Sequence, residues 1–262
     1  MKIAILGGGN MGGAIAAGAV AGGVARRDEI TVSHPKQQLS ELFAGMRTTR
    51  DNAAAVAGAD LVVLAVKPWM AEEVVGKIRE AVNPDTQSVV SVVAELCFST
   101  LSRWLTSRGG RVPALFRVIP NTAIAIGRGV SFVAAQGAAE EQRRQVEGLF
   151  GAVGRVFAVT EQEMTPCMAL SSCGIAYAFR YIDAAMRGGV SLGLEERRAL
   201  DIVVATVRGA VEMLERNGTS PSAETDKVTT PGGITLRGLE AMERGGFSDA
   251  VLAGLLASGK PR

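Results

Sequence analysis

Three glycines near the amino terminus are the first residues whose type and spacing point to chemistry. Gly7, Gly9 and Gly12 lie in the run Gly7-Gly8-Gly9-Asn10-Met11-Gly12, directly after Lys2-Ile3-Ala4-Ile5-Leu6 and before the alanine-rich stretch Ala14 to Val20. The apolar run reads as a strand and the following stretch as a helix, so the glycines fall on a strand–turn–helix junction. At such a junction the Gly-x-Gly-x-x-Gly spacing binds a dinucleotide. The first glycine permits a tight turn, the second lets the pyrophosphate approach the backbone, and the third lets the helix pack on the sheet. Asn10 and Met11 then sit at the helix N-terminus that receives the anion.

The kind of dinucleotide is decided at the end of the second strand, where an NAD enzyme places Asp or Glu on the ribose diol. Here the chain reads Thr31-Val32-Ser33-His34-Pro35-Lys36. The hydroxyl of Ser33, the imidazole of His34 and the ammonium of Lys36 can accept a 2′-phosphate that a carboxylate would repel. NADP(H) is therefore preferred, with NAD(H) possible. Read structurally, His34 is an ordinary exposed turn residue and Lys36 a solvated helix start.

Further candidates sit where strands end, the edge at which ligands bind in such folds. Ala65-Val66-Lys67-Pro68 closes one strand, and Lys67 either faces the cofactor or is a solvated loop cation. Arg117-Val118-Ile119-Pro120-Asn121-Thr122 closes another, offering the Asn121 amide, although Pro120 also suits a purely structural turn. In the second half, Thr229-Thr230-Pro231-Gly232-Gly233-Ile234-Thr235 reads as a helix start with Thr at the N-cap and Pro231 at the first helical position. Its free N–H groups form either a carboxylate site or a plain capped helix. Ala169 to Tyr177 is a run of small residues early in the first helix of the second half, suited to close helix packing. Cys173 within it is a small core residue rather than a nucleophile, since no histidine follows to activate it.

These residues need elements to hold them. Apolar, β-rich runs at 2–6, 29–33, 61–66, 88–93, 115–119, 129–134 and 155–159, mostly separated by helical stretches, predict a doubly wound, largely parallel Rossmann-type sheet. From Gln162 to Ser258 the pattern is helical, interrupted at Gly188-Gly189, Asn217-Gly218, Pro231-Gly232-Gly233 and Gly245-Gly246. The expected domains are therefore 1–160, dinucleotide-binding, and 161–262, an all-α bundle. Its clearest helix spans 195–217, with Leu200, Val203, Val204, Val207, Val211 and Leu214 on one stripe. An apolar helix of this kind in so small a piece is expected to find its partner in a second copy of the chain.

Composition narrows the remaining classes. A net charge of +2 with both signs scattered along the 262 residues offers no nucleic-acid stripe. Three cysteines without ligand spacing and a single histidine disfavour a metal site and a disulfide scaffold. The uncharged stretch Ile3 to Ala25 is too rich in glycine to enter lipid favourably, so a cytoplasmic protein is expected.

Taken in order, the stretches resemble the pyrroline-5-carboxylate reductases of proline biosynthesis, from Met1 to about Ala257. The family shows the N-terminal fingerprint, then Val-Lys-Pro (Val66 to Pro68) and Arg-x-Met-Pro-Asn-Thr-Pro (Arg117 to Ala123). Ala-Leu-Ser-Gly-Ser-Gly-Pro-Ala-Tyr (Ala169 to Tyr177) and Val-Thr-Ser-Pro-Gly-Gly-Thr-Thr (Val228 to Thr235) follow. This sequence departs from it at Ile119, Ala123, Ser172, Cys173 and Ile175, and places Ala94-Glu95 where the family has Ala-Gly. The Glu95 carboxylate either disfavours an anionic substrate near the nicotinamide or points to solvent. The resemblance implies a homo-oligomer with a helical dimerisation domain and an active site between the two domains. It further implies NADPH-dependent reduction of a cyclic imine carboxylate. Thr235 would hydrogen-bond the ring nitrogen, while Thr230 and the N–H groups of Gly233 and Ile234 would hold the carboxylate. Such an imine is basic enough to arrive protonated, so positioning is the main task.

Two rivals differ in what they require. A β-hydroxyacid dehydrogenase needs a catalytic lysine on the first bundle helix, and none occurs between Gln162 and Gly193. A non-catalytic NADP(H) sensor would keep the fold and tolerate Glu95, Cys173 and Ile175.

Overall fold

The computed structural model describes residues 1–35 and 41–259. The chain divides into two compact units, Met1–Ser172 and the remainder from Cys173.

The first unit carries strands β1 (Ile3–Leu6), β2 (Ile30–Ser33), β3 (Arg47–Thr49), β4 (Leu61–Leu64), β5 (Ser88–Ser91), β6 (Ala114–Pro120), β7 (Gly129–Gln136) and β8 (Gly154–Ala158). They form one sheet in the order β3-β2-β1-β4-β5-β6-β7-β8. All neighbours are parallel except β6 and β7, so the expected largely parallel sheet is found with one antiparallel step. Its helices are α1 (Asn10–Ala21), α2 (Asn52–Val56), α3 (Ala71–Ile78), α4 (Phe98–Leu105), α5 (Glu140–Gly151) and α6 (Met164–Met168).

Strand side chains alternate between two cores, which is why the runs are apolar throughout rather than at every second residue. Ile3, Ile5, Leu61 and Val63 face a core shared with Ile15 and Ala19 of α1 and Leu149 and Phe150 of α5. Ala4, Leu6, Val62 and Leu64 face the opposite core, with Val75 of α3 and Leu101 of α4. The strand β3 was not foreseen. It is a three-residue edge strand, Arg47-Thr48-Thr49, largely exposed, and carries no apolar signal.

The second unit holds α7 (Gly174–Ser191), α8 (Glu196–Asn217), α9 (Pro221–Lys227), α10 (Ile234–Arg244) and α11 (Phe247–Ser258). The helix expected over 195–217 is present, with the Glu195 carboxylate capping its start and Gly218 in the left-handed region at its end. The interruption expected at Gly188-Gly189 does not occur, because α7 runs through both residues. Gly189 is there for packing: a Cβ on it would stand 3.0 Å from the Ala199 Cβ of α8. Between α8 and α9, the Glu224 carboxylate accepts from Lys227 and Asn217 at 2.7 and 3.1 Å and from the Thr219 hydroxyl. Chiefly because of Lys227, its pKa lies at about 2.

Among the described residues of this unit only Ala199 is buried. Val211, Leu252 and Leu256 are each more than half exposed. A unit of this size with no closed core does not hold together alone. No helix among the described residues is long and apolar enough to cross a membrane.

Candidate active site

The three fingerprint glycines differ in their surroundings. Gly7 has φ +115°, and a Cβ there would stand 2.4 Å from the Ala65 carbonyl oxygen, so the turn leaving β1 admits only glycine. Its N–H donates to the Ser33 carbonyl at 2.9 Å, tying β1 to the end of β2. Gly12 is buried, and a Cβ would lie 2.0 Å from the Gly7 carbonyl oxygen. Gly9, by contrast, is exposed with nothing near its missing side chain. It is the N-cap of α1, where no side chain caps the helix and no acidic residue occupies the first turn. The N–H groups at this end have positive potential and no internal anion.

Gly7, Gly9, Asn10 and Met11 line a cavity of about 540 Å³ with His34, Pro35, Ala65, Val66, Lys67, Met70 and Val92. Eight of the residues singled out from sequence therefore meet at the carboxyl ends of β1, β2 and β4. Lys67 is exposed and makes no ion pair among the described residues. Met70 and Val92 were not anticipated. The first follows the Lys67-Pro68 turn and the second continues β5, and neither has a side chain that signals binding.

Other residues singled out from sequence are engaged within the chain. Ser33 is 3% exposed and its hydroxyl donates to Asn52 Oδ1 at 2.6 Å, fastening the end of β2 to the start of α2. Asn121 is 8% exposed; its Oδ1 accepts from the N–H groups of Ala123 and Val130 and its Nδ2 donates to the Ser171 hydroxyl at 3.1 Å. Its amide is consumed in fastening the end of β6, away from the cavity lining. Pro68 stands beside the cavity at the start of a 3-10 turn without lining it. Lys36 lies outside the described residues. Arg117 points inward too, with Nη1 2.7 Å from Glu161 Oε1, which also accepts the Phe98 N–H that opens α4.

The small-residue run is a π-helical segment over Ala169–Cys173 before α7, rather than α-helix throughout. Cys97, at the start of α4, has its pKa lowered to about 7, first by the Ser99 hydroxyl and then by that of Thr100.

Thr230 is not a helix N-cap and Pro231 is not in the helix. Thr230-Pro231-Gly232-Gly233 forms a reverse turn closed by the Gly233 N–H on the Thr230 carbonyl at 2.9 Å, with Gly232 at φ +71°. Pro231 suits the second position of such a turn, and the positive φ that the third demands ends any helix there. The helix α10 starts at Ile234 with Gly233 as N-cap, without a capping side chain or an acidic residue in its first turn. The open donors are thus those of Ile234, Thr235 and Leu236, one position later than expected, because Gly233 spends its N–H in the turn.

Glu95 is the only described non-glycine residue with positive φ, at +63°. Its backbone therefore takes the shape glycine prefers, in the exposed loop between β5 and α4. Holding an L-residue there costs about 1–2 kcal/mol, and glycine returns about 0.5–1 kcal/mol of that as lost chain entropy. Glu95→Gly should therefore raise stability by about 0.5–1 kcal/mol, seen as a higher urea midpoint at unchanged slope. A lower midpoint would mean that the carboxylate does structural work.

The sheet order, the cavity at its carboxyl edge and the separate helical unit define a Rossmann-type oxidoreductase with a helical C-terminal portion. Residues 161–260 match the family model described as pyrroline-5-carboxylate reductase dimerisation, and residues 2–95 match that of NADP oxidoreductase, coenzyme F420-dependent. The chain is 31% identical over 261 residues to the pyrroline-5-carboxylate reductase of Pisum sativum, covering 98% of this chain and 93% of the relative. It is 32% identical to that of Methanosarcina acetivorans, covering 96% and 93%. A pyrroline-5-carboxylate reductase structure from Coxiella burnetii superposes with TM-score 0.90 at 28% identity, covering 98% of this chain and 96% of that one. One from Plasmodium falciparum, solved with NADP bound, gives 0.88 at 24% and shares the fold, covering 99% and 95%. The chain belongs to the pyrroline-5-carboxylate reductase family.

Proposed function

We propose that this chain reduces 1-pyrroline-5-carboxylate to proline with NADPH, by way of the cavity at the carboxyl edge of the sheet and the open first turn of α10. The observation that carries the reading is the helix start at Ile234, which has no capping side chain and no acidic residue in its first turn among the described residues. An uncapped helix start of this kind suits the acid group of a small substrate. The exposed, uncrowded backbone at Gly9 likewise suits a pyrophosphate, so the residues present fit the dinucleotide.

NADPH, when bound, supplies a hydride from nicotinamide C4. The acceptor is C5 of the protonated imine, whose C=N electrons pass to nitrogen, leaving proline and NADP⁺ with no further proton required. Thr235, exposed at the second helical position of α10, offers its hydroxyl oxygen to accept the N–H of the protonated ring nitrogen. Thr230 lies against Gly233 and shapes the approach to the donors of Ile234 and Thr235. Lys227, the lysine nearest this turn in sequence, is paired with Glu224, and the chain acts by binding and orientation.

The same reading assigns the dinucleotide to residues 1–160 and the substrate and subunit contact to 161–262. It pairs the exposed apolar residues of the helical unit with those of a second copy, as a homodimer or a larger homo-oligomer, and places the protein in the cytoplasm. Purified protein with NADPH and pyrroline-5-carboxylate should show saturable loss of reduced-nicotinamide absorbance. Tight NADPH binding without turnover would instead favour the sensor.

A further inference from the structure

The edge strand β3 ends one residue before a cation, Arg50, that no motif announces. The pairing of Ser33 with Thr49, and the His34 N–H donated to the Thr49 carbonyl at 3.0 Å, bring the ends of β2 and β3 together. Arg50 is the next residue after that pairing, and so lies opposite His34, which lines the cavity. It is exposed and makes no ion pair or hydrogen bond among the described residues. Its neighbour Asp51 forms no ion pair with it among the described residues; Asp51 Oδ1 accepts the N–H groups of Ala53 and Ala54 at the start of α2 instead. No carboxylate occupies positions 33 to 35, and the Ser33 hydroxyl is already engaged with Asn52.

The end of β2 is where a dinucleotide fold meets the adenosine ribose, and an arginine nearby accommodates a 2′-phosphate. Guanidinium offers that dianion a planar, paired set of donors, which an ammonium cannot. Resting on the NADPH reading above, we propose that Arg50 is the specificity-determining residue that grips the 2′-phosphate and separates NADPH from NADH. It contributes nothing to the shared parts of the two cofactors.

The test is equilibrium binding rather than turnover. NADPH, NADH, 2′,5′-adenosine diphosphate and 5′-adenosine monophosphate are titrated into the full chain and into Arg50→Gln. The variant should bind the two 2′-phosphorylated ligands about tenfold to hundredfold more weakly, the range for a lost charge-assisted contact. NADH and the monophosphate should bind within about twofold of the unaltered chain, which also verifies folding. Arg50→Lys should fall between, with the charge kept and the fork lost. Unchanged discrimination in Arg50→Gln, or an equal loss for all four ligands, would overturn the inference while leaving the dinucleotide reading intact. An unaltered chain that binds neither cofactor would overturn both.

Discussion

Gly9→Ala should fold normally and lose NADPH, whereas Gly12→Ala should be strongly destabilised. Both changes add one methyl group to the same short turn. At Gly9 the backbone already has φ −82° and ψ −169°, open to any residue, and the new Cβ meets nothing within 4 Å. Alanine is a poorer N-cap than glycine but restricts the unfolded chain, two terms of about 0.5–1 kcal/mol with opposite signs. The melting temperature should stay nearly constant. The methyl group would instead occupy the space a pyrophosphate needs, and NADPH affinity should fall by about a hundredfold or more, close to 3 kcal/mol. At Gly12 the methyl would lie 2.0 Å from the Gly7 carbonyl oxygen and 3.1 Å from Ile5 Cγ2, and the first of these is backbone. Either α1 lifts from the sheet or the turn after β1 opens, at a cost of roughly 3 kcal/mol or more. Thermal unfolding and NADPH titration of both variants check this. A Gly9→Ala protein that binds NADPH as tightly as the parent would remove the cofactor from this turn.

The contrast also shows what the sequence conveyed and what it withheld. The fingerprint was legible because each glycine answers a local demand for turn, approach or packing that spacing expresses directly. The sheet was legible because strands buried on both faces must be apolar throughout, as at Leu61 to Leu64. The strand β3 escaped because an edge strand of three polar or charged residues has no such requirement, and Arg50 escaped with it. Ser33 and Asn121 share one ambiguity. A polar residue at the end of a strand can turn outward to a ligand or inward to orphaned backbone and side-chain groups. The choice depends on partners such as Asn52, Val130 and Ser171 that lie 19, 9 and 50 residues away. Gly188-Gly189 was misread as a break because close approach of α8 is a tertiary demand that leaves no local mark. The Thr230 turn shows the reverse case. Pro-Gly-Gly is a local signal, but it specifies a turn ahead of the helix rather than the helix's first residues.

Thr235→Ala should reduce turnover about tenfold to hundredfold while leaving NADPH affinity within about twofold of the parent. The size follows from removing one hydrogen bond to a charged group, about 1.5–3 kcal/mol, applied to an iminium nitrogen that the enzyme must orient for hydride attack. Little of the effect should come from stability. Thr235 is exposed at the second position of α10, and alanine is the better helix former. The N–H donors of Ile234, Thr235 and Leu236 survive the change, since they belong to the backbone. KM for the imine should therefore move less than kcat, the mark of an interaction that orients rather than merely holds. Thr235→Ser keeps the hydroxyl and should restore most of the rate. Steady-state kinetics and NADPH titration separate the outcomes. If NADPH affinity and turnover fell together, the turn at Thr230–Gly233 would serve the cofactor, and the carboxylate site would have to lie elsewhere on the helical unit.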